Sequence, residues 1–381
     1  RKLILKNLFF LNPKITYLNH GSYGACPIPV FNDYQKWQKR LESQPVQFFN
    51  YTLWEYLKDT RQSLGRYINC AGNDLILFPN PTTAVNNIFE NLNLVKGDEV
   101  LMTQHEYGAL IRAWGNASKK YGFKIVKKEV SLPLKTKVEF LNQFLSAINN
   151  KTKVIFISQI TSQTALIFPV SEICKYAKKL GITTIVDGAH VPGHINLDLM
   201  KIGCDYYTGA CHKWLCAPKG SSFLYVRKEL QNEMIPQTIS WGEEGEDPGP
   251  TKLLQDFQWQ GTRDMSAFLA IPSAIKFVEK NSWKKRQEYC REIILDVSNK
   301  LNELLKTEPN FLGEQWVGQM VSHPLPSNVP ETLKLDLWNK FGIEVPIFEW
   351  DNNKYIRISF HCYNKKEDID KLFHALKKLL F

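Results

Sequence analysis

Short apolar segments alternate with amphipathic ones between about Leu64 and Arg227, and this alternation constrains the fold more than any other feature of the chain. The clearest unit runs from an apolar segment at 154–158, through an amphipathic segment at 171–180 that a glycine ends, to a β-branched segment at 182–186. A strand, a helix and a second strand in this order favour parallel pairing, with helices covering both faces of the sheet. The pattern therefore predicts an α/β domain with a largely parallel sheet.

A carboxylate and a lysine follow this unit at positions that suit one cofactor. Asp187 begins the segment Asp-Gly-Ala-His directly after the predicted strand, and open α/β sheets bind ligands at the carboxyl ends of their strands. Lys213 comes soon afterwards, in the segment Thr208–Trp214. Pyridoxal phosphate requires such a pair, because a lysine amine must hold its aldehyde as a Schiff base while an acid keeps its pyridine nitrogen protonated. Taken singly, such an aspartate is often a helix cap and such a lysine is usually solvated, so both interpretations stay open.

An earlier segment, Phe78–Asn86, predicts an anion site. Its composition indicates a strand end, a turn and the start of a helix, with Thr82 and Thr83 in the first helical turn. Unpaired backbone amides and the positive end of the helix dipole attract a phosphate there. The alternative is that the two threonines only cap the helix.

Composition indicates a globular protein with room for two domains. The chain has 381 residues, of which 44% are hydrophobic and 23% are charged, and its apolar runs are too short to span a bilayer. Its eight cysteines include no C-x-x-C pair, so we expect them to be reduced and mostly buried. These features predict a cytoplasmic protein with no membrane partner.

The formal net charge of +10 could indicate a protein that binds nucleic acid. The basic residues occur in scattered pairs, such as Lys119-Lys120 and Lys377-Lys378, within segments that indicate polar helix faces or strand edges. Nucleic-acid-binding proteins usually carry a longer basic run or a basic stripe. We therefore predict a solvated surface and no nucleic-acid partner. A basic binding module is an alternative that rests on charge alone.

The C-terminal part of the chain predicts a smaller α+β domain. Residues 241–250 are rich in Gly, Glu and Pro and indicate a loop, residues 266–278 indicate a helix, and residues 283–305 indicate a long amphipathic helix that could bridge two domains. The alternating segment 355–360 places Arg357 on a rigid strand. Such an arginine suits a bidentate grip on a substrate carboxylate, and a surface salt bridge is the alternative.

Taken in this order, the phosphate segment, the Asp187 strand and the Lys213 loop resemble those of the class V aminotransferases, which are pyridoxal-phosphate enzymes. The resemblance covers nearly the whole chain and is greatest to the isopenicillin N epimerase-like members. The other segments that carry it are Leu18–Gly24, His105–Ala109, Trp259–Asp264, Ile343–Pro346, Arg357–Ser359 and Tyr363-Asn364.

The resemblance implies the fold of aspartate aminotransferase: an α/β large domain with a mostly parallel seven-stranded sheet, and a smaller α+β domain. We assign residues 20–265 to the large domain that binds pyridoxal 5'-phosphate, and residues 1–19 together with 266–381 to the small domain. It also implies an enzyme that acts at the Cα of an amino acid through an external aldimine.

The resemblance implies a role for each cofactor contact. Lys213 would form the Schiff base and Asp187 would pair with the pyridinium nitrogen; once substrate has displaced it, Lys213 is a free amine that can act as general acid and base. The other implied contacts are His190 and Gln159 at the phenolic oxygen of the ring, Tyr107 stacked on the ring, and Thr82, Thr83, Thr208 and His212 at the phosphate. The catalytic set is therefore Lys213, Asp187 and His190.

Two further implications concern the substrate and the oligomer. Arg357 would bind the α-carboxylate of a small-molecule amino-acid substrate, in a pocket lined by Asn19, Gly21 and Ser22. Thr262 matches a phosphate contact that members of the family take from the neighbouring subunit. The resemblance therefore implies a homodimer with shared active sites.

The resemblance also ranks three reactions: epimerisation at Cα, then C–S lysis of a cysteine conjugate as in hercynylcysteine sulfoxide lyases, then transamination. The same lysine serves all three reactions, so the residues of the sequence do not distinguish among them. Cysteine desulfurases of this family carry a nucleophilic cysteine shortly before the arginine that binds the carboxylate. Residues 342–355 contain no cysteine, and Cys362 follows Arg357, so a desulfurase is disfavoured.

Outside this family, Asp187, His190 and His194 suggest the zinc site of a metal hydrolase. Pro192 and Gly193 lie between the two histidines and disturb the i, i+4 spacing on a helix that such sites usually use. We therefore expect no metal.

Overall fold

The computed structural model describes residues 5–245 and 249–381. Within these ranges the chain forms twelve strands, numbered here in chain order: β1 Thr16–Tyr17, β2 Leu75–Phe78, β3 Glu99–Thr103, β4 Lys124–Lys128, β5 Thr152–Ser158, β6 Thr183–Asp187, β7 Tyr206–Ala210, β8 Ser222–Val226, β9 Met320–Pro324, β10 Ile343–Glu344, β11 Ile347–Trp350 and β12 Asn353–Ser359.

The α-helices of the same ranges are His20–Tyr23, Ile28–Ser43, Pro45–Gln47, Leu53–Ile68, Pro81–Asn86, Gly108–Tyr121, Lys137–Leu145, Val170–Lys179, Leu199–Ile202, Lys252–Phe257, Ser266–Leu269, Ile271–Lys280, Trp283–Leu305, Leu333–Phe341 and Lys366–Leu380.

Seven strands form one large sheet in the order β2-β8-β7-β6-β5-β3-β4. The strands from β7 to β4 pair in parallel, whereas β8 is antiparallel to both of its neighbours. The predicted strand–helix–strand unit is present as β5, the helix Val170–Lys179 and β6. The sheet confirms the expected α/β fold with a mostly parallel seven-stranded sheet.

Apolar side chains cover both faces of this sheet. Successive residues of a strand point to opposite faces. In β5, Val154 and Phe156 therefore pack in the cluster that contains Trp114, while Ile155 and Ile157 belong to a second cluster. Nearly continuous apolar strands are typical of a sheet that is buried on both sides.

The C-terminal part adds a three-stranded antiparallel sheet in the order β11-β12-β9, and β10 pairs in parallel with β1 near the N-terminus. The cluster that contains Ile155 also includes Val321, Ile356 and Ile358, so it extends continuously from the large sheet to the small one. The assignment of domains 20–265 and 1–19 with 266–381 stays a prediction.

One predicted helix is interrupted, and a second is confirmed. The segment 266–278 forms two helices, Ser266–Leu269 and Ile271–Lys280, with Pro272 in the first turn of the second. Proline is tolerated there because an N–H at that position has no acceptor within the helix. In mid-helix, proline removes one of the backbone hydrogen bonds. The long helix occupies Trp283–Leu305, as predicted.

The loop predicted at 241–250 begins with a 3-10 turn at Trp241–Glu244, and its residues 246–248 lie outside the described ranges. The cysteines are free thiols; Cys26 and Cys70 are partly buried and the others are buried. None of the described helices combines the length and apolar character needed to cross a bilayer.

We predict that Phe156→Ala destabilises the protein by about 3–5 kcal/mol, because the deleted ring is fully buried and lies 5.4 Å from the ring of Trp114. The matched control is Phe381→Ala, since Phe381 is 82% exposed and its removal should change stability by about 0.5 kcal/mol or less. Chemical denaturation measures both. Equal losses for the two variants would contradict this packing of the sheet.

Candidate active site

A cavity of about 170 Å³ lies at the carboxyl ends of β5 and β6 in the large sheet. Its wall combines hydroxyl, imidazole, carboxylate, amine and phenol groups. The lining residues are Ser22, Tyr23, Asn80, Pro81, Thr82, Tyr107, Leu110, Ser158, Ile160, Ser162, Asp187, Ala189, His190, His212 and Lys213. This position is where open α/β sheets bind their ligands.

Asp187 is the last residue of β6 and is buried in the wall of the cavity. Its Oδ1 accepts a hydrogen bond from the backbone N–H of Ala189 at 2.9 Å. Burial raises the pKa of Asp187, while the bond from Ala189 and the charge of Lys213 act in the opposite direction. A carboxylate in this environment is stabilised by a cationic partner.

Lys213 reaches the same cavity from the loop that follows β7. Its Nζ lies 3.4 Å from Nε2 of His190. Burial, followed by the charge of Arg357, lowers the pKa of Lys213 to about 8, although Asp187 acts in the opposite direction. The amine is therefore much more easily deprotonated than that of a surface lysine.

The backbone of the lysine loop packs directly against the N-terminal segment 18–24. Gly24 has a φ of +68°, and a Cβ there would lie 2.9 Å from the Cα of Lys213. His20 donates from Nε2 to the backbone carbonyl of Lys213 at 3.0 Å. Glycine is required at position 24 because its φ is strained for other residues and because no side-chain atom fits in the contact.

His190 and His194 are both buried, and burial holds the pKa of His190 well below its usual value and lowers that of His194 to about 3. The Nδ1–H of His194 donates to the backbone carbonyl of His190 at 2.9 Å, and its Nε2 accepts from the backbone N–H of Gln319 at 2.6 Å. Both nitrogens of His194 are thus used within the fold. Among the described residues, Asp187, His190 and His194 do not form a group with ligand atoms close enough for a metal ion.

Arg357 is buried on β12 and contacts two residues of the cavity wall. Its Nη1 donates to the backbone carbonyl of Ser162 at 2.7 Å, and its Nη2 donates to Oγ of Ser22 at 3.0 Å. Its Nε has no hydrogen-bond partner among the described residues. Burial lowers the pKa of Arg357 to about 10. The guanidinium is a buried cation whose hydrogen bonds go to neutral groups, which suits it to an anionic ligand.

The three residues expected in the substrate pocket occupy different positions. Ser22 lines the cavity and donates from Oγ to Oδ1 of Asn19 at 2.5 Å. Gly21 donates from its backbone N–H to Oγ of Ser359 at 3.0 Å, and a Cβ at Gly21 would collide with Met320. Ser22 therefore lines the cavity, whereas Asn19 and Gly21 are not among its lining residues and contact the residues around it.

Of the residues expected at the phosphate, two line the cavity and two form hydrogen bonds within the protein. Thr82 and His212 line the cavity. Thr83 donates from its backbone N–H and its hydroxyl to Oδ1 of Asn80, at 2.8 and 3.1 Å. Thr208 donates from its hydroxyl to the backbone carbonyl of Phe223 at 2.9 Å and is not among the lining residues. Thr82 and His212 are thus the ones whose side chains are available in the cavity.

Tyr107 lines the cavity and is 44% exposed. Gln159 lies next to the wall, and its Oε1 accepts from the hydroxyl of Tyr207 at 2.7 Å. This bond orients the amide so that its NH₂ group is left to donate elsewhere.

Thr262 lies apart from this cavity, in an open depression of about 590 Å³ that is lined by Pro45, Val46, Phe49, Asn50, Trp54, Trp241, Trp259 and Thr262. The depression is larger than the cavity, but its lining contains no titratable side chain. The chemistry of the site therefore belongs to the smaller cavity.

Two groups at the site, one buried and one partly buried, are not identified by the sequence patterns. Glu106 accepts hydrogen bonds from the hydroxyl of Thr103 at 2.7 Å and from the backbone N–H of Ser158 at 2.8 Å, and burial raises its pKa to about 7. Ser162 is the second, and it holds Arg357 through its backbone carbonyl. Glu106 belongs to the segment His105–Ala109 that carries the family resemblance, and its charge within that segment is a signal that could have identified it.

Comparison with protein families and with individual proteins gives a consistent result. The family model described as Aminotransferase class-V matches residues 26–372. Isopenicillin N epimerase from Amycolatopsis lactamdurans is 32% identical over 97% of this chain and 96% of its own length. A probable chloroplastic L-cysteine desulfhydrase from Arabidopsis thaliana is 28% identical over 97% of this chain and 84% of its own length.

A hercynylcysteine sulfoxide lyase from Schizosaccharomyces pombe is 25% identical over 98% of this chain and 96% of its own length. Among solved structures, C-DES with glycine covalently linked to its pyridoxal-phosphate cofactor has a TM-score of 0.86 at 20% identity, and the alignment covers 98% of this chain and 99% of that one. The likeness to C-DES shows the fold. With the family match across most of its length, the chain belongs to the class V aminotransferase family of pyridoxal-phosphate-dependent enzymes.

Proposed function

We propose that Lys213, Asp187 and Arg357 form the active site of an enzyme that acts at the Cα of an amino acid, with epimerisation as its reaction. The observation that carries the proposal is the position of the Lys213 amine: it lies in one cavity with Asp187, its pKa is lowered to about 8, and Arg357 is close enough to contribute to that shift.

The residues of the cavity fit pyridoxal phosphate. Asp187 is a buried carboxylate in need of a cationic partner, and the protonated pyridine nitrogen is such a partner. A charge-assisted hydrogen bond of this kind contributes about 1.5–3 kcal/mol. This corresponds to about one to two pK units in favour of the protonated ring. When bound, the cofactor supplies an electron sink for negative charge at Cα.

Lys213 would bond to the aldehyde of the cofactor and later exchange the proton at Cα. Formation of the bond and removal of the proton both need a neutral amine, and the ammonium ion formed by removal can return the proton. With a pKa of about 8, Lys213 has a neutral fraction at neutral pH that is roughly two to three hundred times that of an ordinary lysine. Burial thus prepares the amine for general acid–base catalysis near physiological pH.

Arg357 would bind the α-carboxylate of the substrate. The bonds from Arg357 to Ser162 and Ser22 fix the plane of the guanidinium at the cavity wall before substrate arrives. A planar guanidinium held in this way matches the two oxygens of a carboxylate. Ser22 joins the pocket directly, while Asn19 and Gly21 support it from behind.

The phosphate would lie near Thr82 and His212, the two expected contacts whose side chains are available in the cavity. We retain Thr83 and Thr208 as candidate contacts, although their hydroxyls donate to other groups here. His190 and Gln159 would face the phenolic oxygen of the ring, and Tyr107 would stack on the ring.

We also propose a homodimer in which Thr262 completes the phosphate site of the partner. Thr262 lies in the open depression beside Val46 and Trp241, which are 72% and 61% exposed. Apolar side chains exposed together favour burial against another protein surface. A second copy of the chain would cover them and carry Thr262 towards the neighbouring cavity.

Epimerisation is supported by the likeness along nearly the whole chain to an isopenicillin N epimerase. The reaction needs proton exchange at both faces of Cα, and the phenols of Tyr23 and Tyr107 line the same cavity as Lys213. The second candidate is C–S lysis of a cysteine derivative, supported by the desulfhydrase and sulfoxide lyase relatives. Lysis needs only Lys213 to remove the Cα proton while the C–S bond breaks and the electron pair leaves with sulfur.

We predict opposite shifts of the Lys213 pKa in two variants of the cofactor-free protein. Arg357→Leu removes a positive charge and should raise the pKa, whereas Asp187→Asn removes a negative charge and should lower it. The rate at which an amine-selective acylating reagent modifies Lys213, followed by mass spectrometry as a function of pH, reports the pKa. The exposed Arg40→Leu variant should leave it unchanged. A shift in the same direction for both variants would exclude the proposed electrostatics.

We predict that Lys213→Ala abolishes the visible absorption band that arises from the covalent link between the cofactor and the amine, and with it the fixation of the cofactor by borohydride, because that link is lost. Lys219→Ala is the matched control: Lys219 is an exposed lysine of the same loop and should leave both signals intact. If Lys213→Ala still gives a lysine that carries reduced cofactor, the assignment of the lysine is wrong.

The reaction is tested with isopenicillin N, cystine and a panel of amino acids in deuterium oxide. We expect deuterium to appear at Cα together with the inverted stereoisomer, with little release of pyruvate, and we expect neither product from Lys213→Ala. Release of stoichiometric pyruvate from a cysteine derivative, without any inverted isomer, would contradict epimerisation and support C–S lysis.

A further inference from the structure

Trp214 follows the lysine directly in the chain and is fully buried. Its indole nitrogen donates a hydrogen bond to Nδ1 of His190 at 3.2 Å. The other nitrogen of the same imidazole, Nε2, lies 3.4 Å from Nζ of Lys213. His190 is therefore placed between the indole and the amine, with one ring nitrogen directed to each.

The chemistry of the indole determines which nitrogen of His190 carries the proton. An indole N–H is a donor only, so the nitrogen that it contacts must present a lone pair. In a neutral imidazole the proton is then on Nε2, the nitrogen next to Lys213. Burial keeps the imidazole neutral, since it holds the pKa of His190 well below its usual value.

Trp214 is itself held in place by two neighbouring imidazole rings. The ring of His194 lies 3.9 Å from it between centroids, and the ring of His20 lies 4.8 Å from it. His194 is fixed by its bonds to His190 and Gln319, and His20 by its bond to the carbonyl of Lys213. The indole N–H therefore points at His190 because its ring has little freedom to turn.

We propose that Trp214 is a positioning residue whose indole N–H holds His190 as the Nε2–H tautomer, so that a hydrogen-bond donor faces the amine of Lys213. The position of the proton on His190 does not depend on the proposed function; only the catalytic role of the Lys213 amine rests on it. A donor at this position favours the neutral amine, which can accept the bond, over the ammonium ion, which cannot. In the opposite tautomer, a lone pair would face the amine and favour the ammonium ion.

The first test locates the proton in the wild-type chain. Protein with ¹⁵N-labelled histidine, studied with and without cofactor, gives long-range ¹H–¹⁵N NMR correlations that distinguish the two tautomers, and His190→Gln assigns the signal. We expect the proton of His190 on Nε2. A proton on Nδ1 in the cofactor-free protein would overturn the proposal without any variant of Trp214.

The second test removes the donor. Trp214→Phe keeps a ring between His20 and His194 but lacks the N–H, and the ratio of Nε2–H to Nδ1–H in His190 should fall roughly five- to tenfold, as expected for the loss of one hydrogen bond. The control is Trp114→Phe, because Trp114 is equally buried but its N–H has no partner within the described ranges. An unchanged ratio in Trp214→Phe would overturn the proposal.

If Trp214→Phe does not fold, replacement of Trp214 by β-(3-benzothienyl)alanine preserves the ring shape and removes only the N–H, and the same change in ratio is expected. A separate readout is the Lys213 pKa, measured by acylation as above, which should rise in both variants. Neither measurement depends on turnover. An inactive enzyme with the expected tautomer would refute the proposed function alone, whereas an active one with the wrong tautomer would refute this inference alone.

Discussion

An amine, a carboxylate and a guanidinium are largely removed from water in one small region, and the rest of the site is arranged around this constraint. Burial disfavours each charge, so it lowers the pKa values of Lys213 and Arg357 and raises that of Asp187. The three groups tolerate burial because opposite charges lie close together and because serine and backbone groups accept or donate the remaining bonds. The same desolvation that costs stability gives the amine its reactivity.

Local patterns explain why part of this arrangement could be predicted from the sequence. A β-branched run before Asp187 indicates a buried strand, and parallel strands end at the same edge of a sheet, so the position of the carboxylate follows from pattern alone. Thr82 at a helix start and Lys213 after the next strand follow from the same reasoning. These residues owe their positions to secondary structure, which short segments specify.

Contacts between distant segments could not be predicted in this way. Whether the hydroxyl of Thr208 is free to bind an anion depends on Phe223 in the neighbouring strand. The bond from Thr83 to Asn80, by contrast, spans three residues and is a local contact of the helix start. The contact between the rings of Trp214 and His194 is also a tertiary contact. A single sequence without homologues contains the residues of such contacts but no signal of their distance. The interruption at Pro272 is different, because the proline itself was a local signal for a helix start.

The packing beneath Lys213 joins segments that are far apart in the chain. His20 bonds both to the carbonyl of Lys213 and, at 2.8 Å, to the hydroxyl of Tyr363, which is 343 residues further along. During synthesis on the ribosome, the large sheet can form before Tyr363 has emerged, since domains begin to fold as they leave the exit tunnel. The contacts that support the lysine loop are then incomplete, because the bond between His20 and Tyr363 has not formed. A nascent chain that already contains Lys213 therefore lacks the finished binding site until Tyr363 has been added and has emerged.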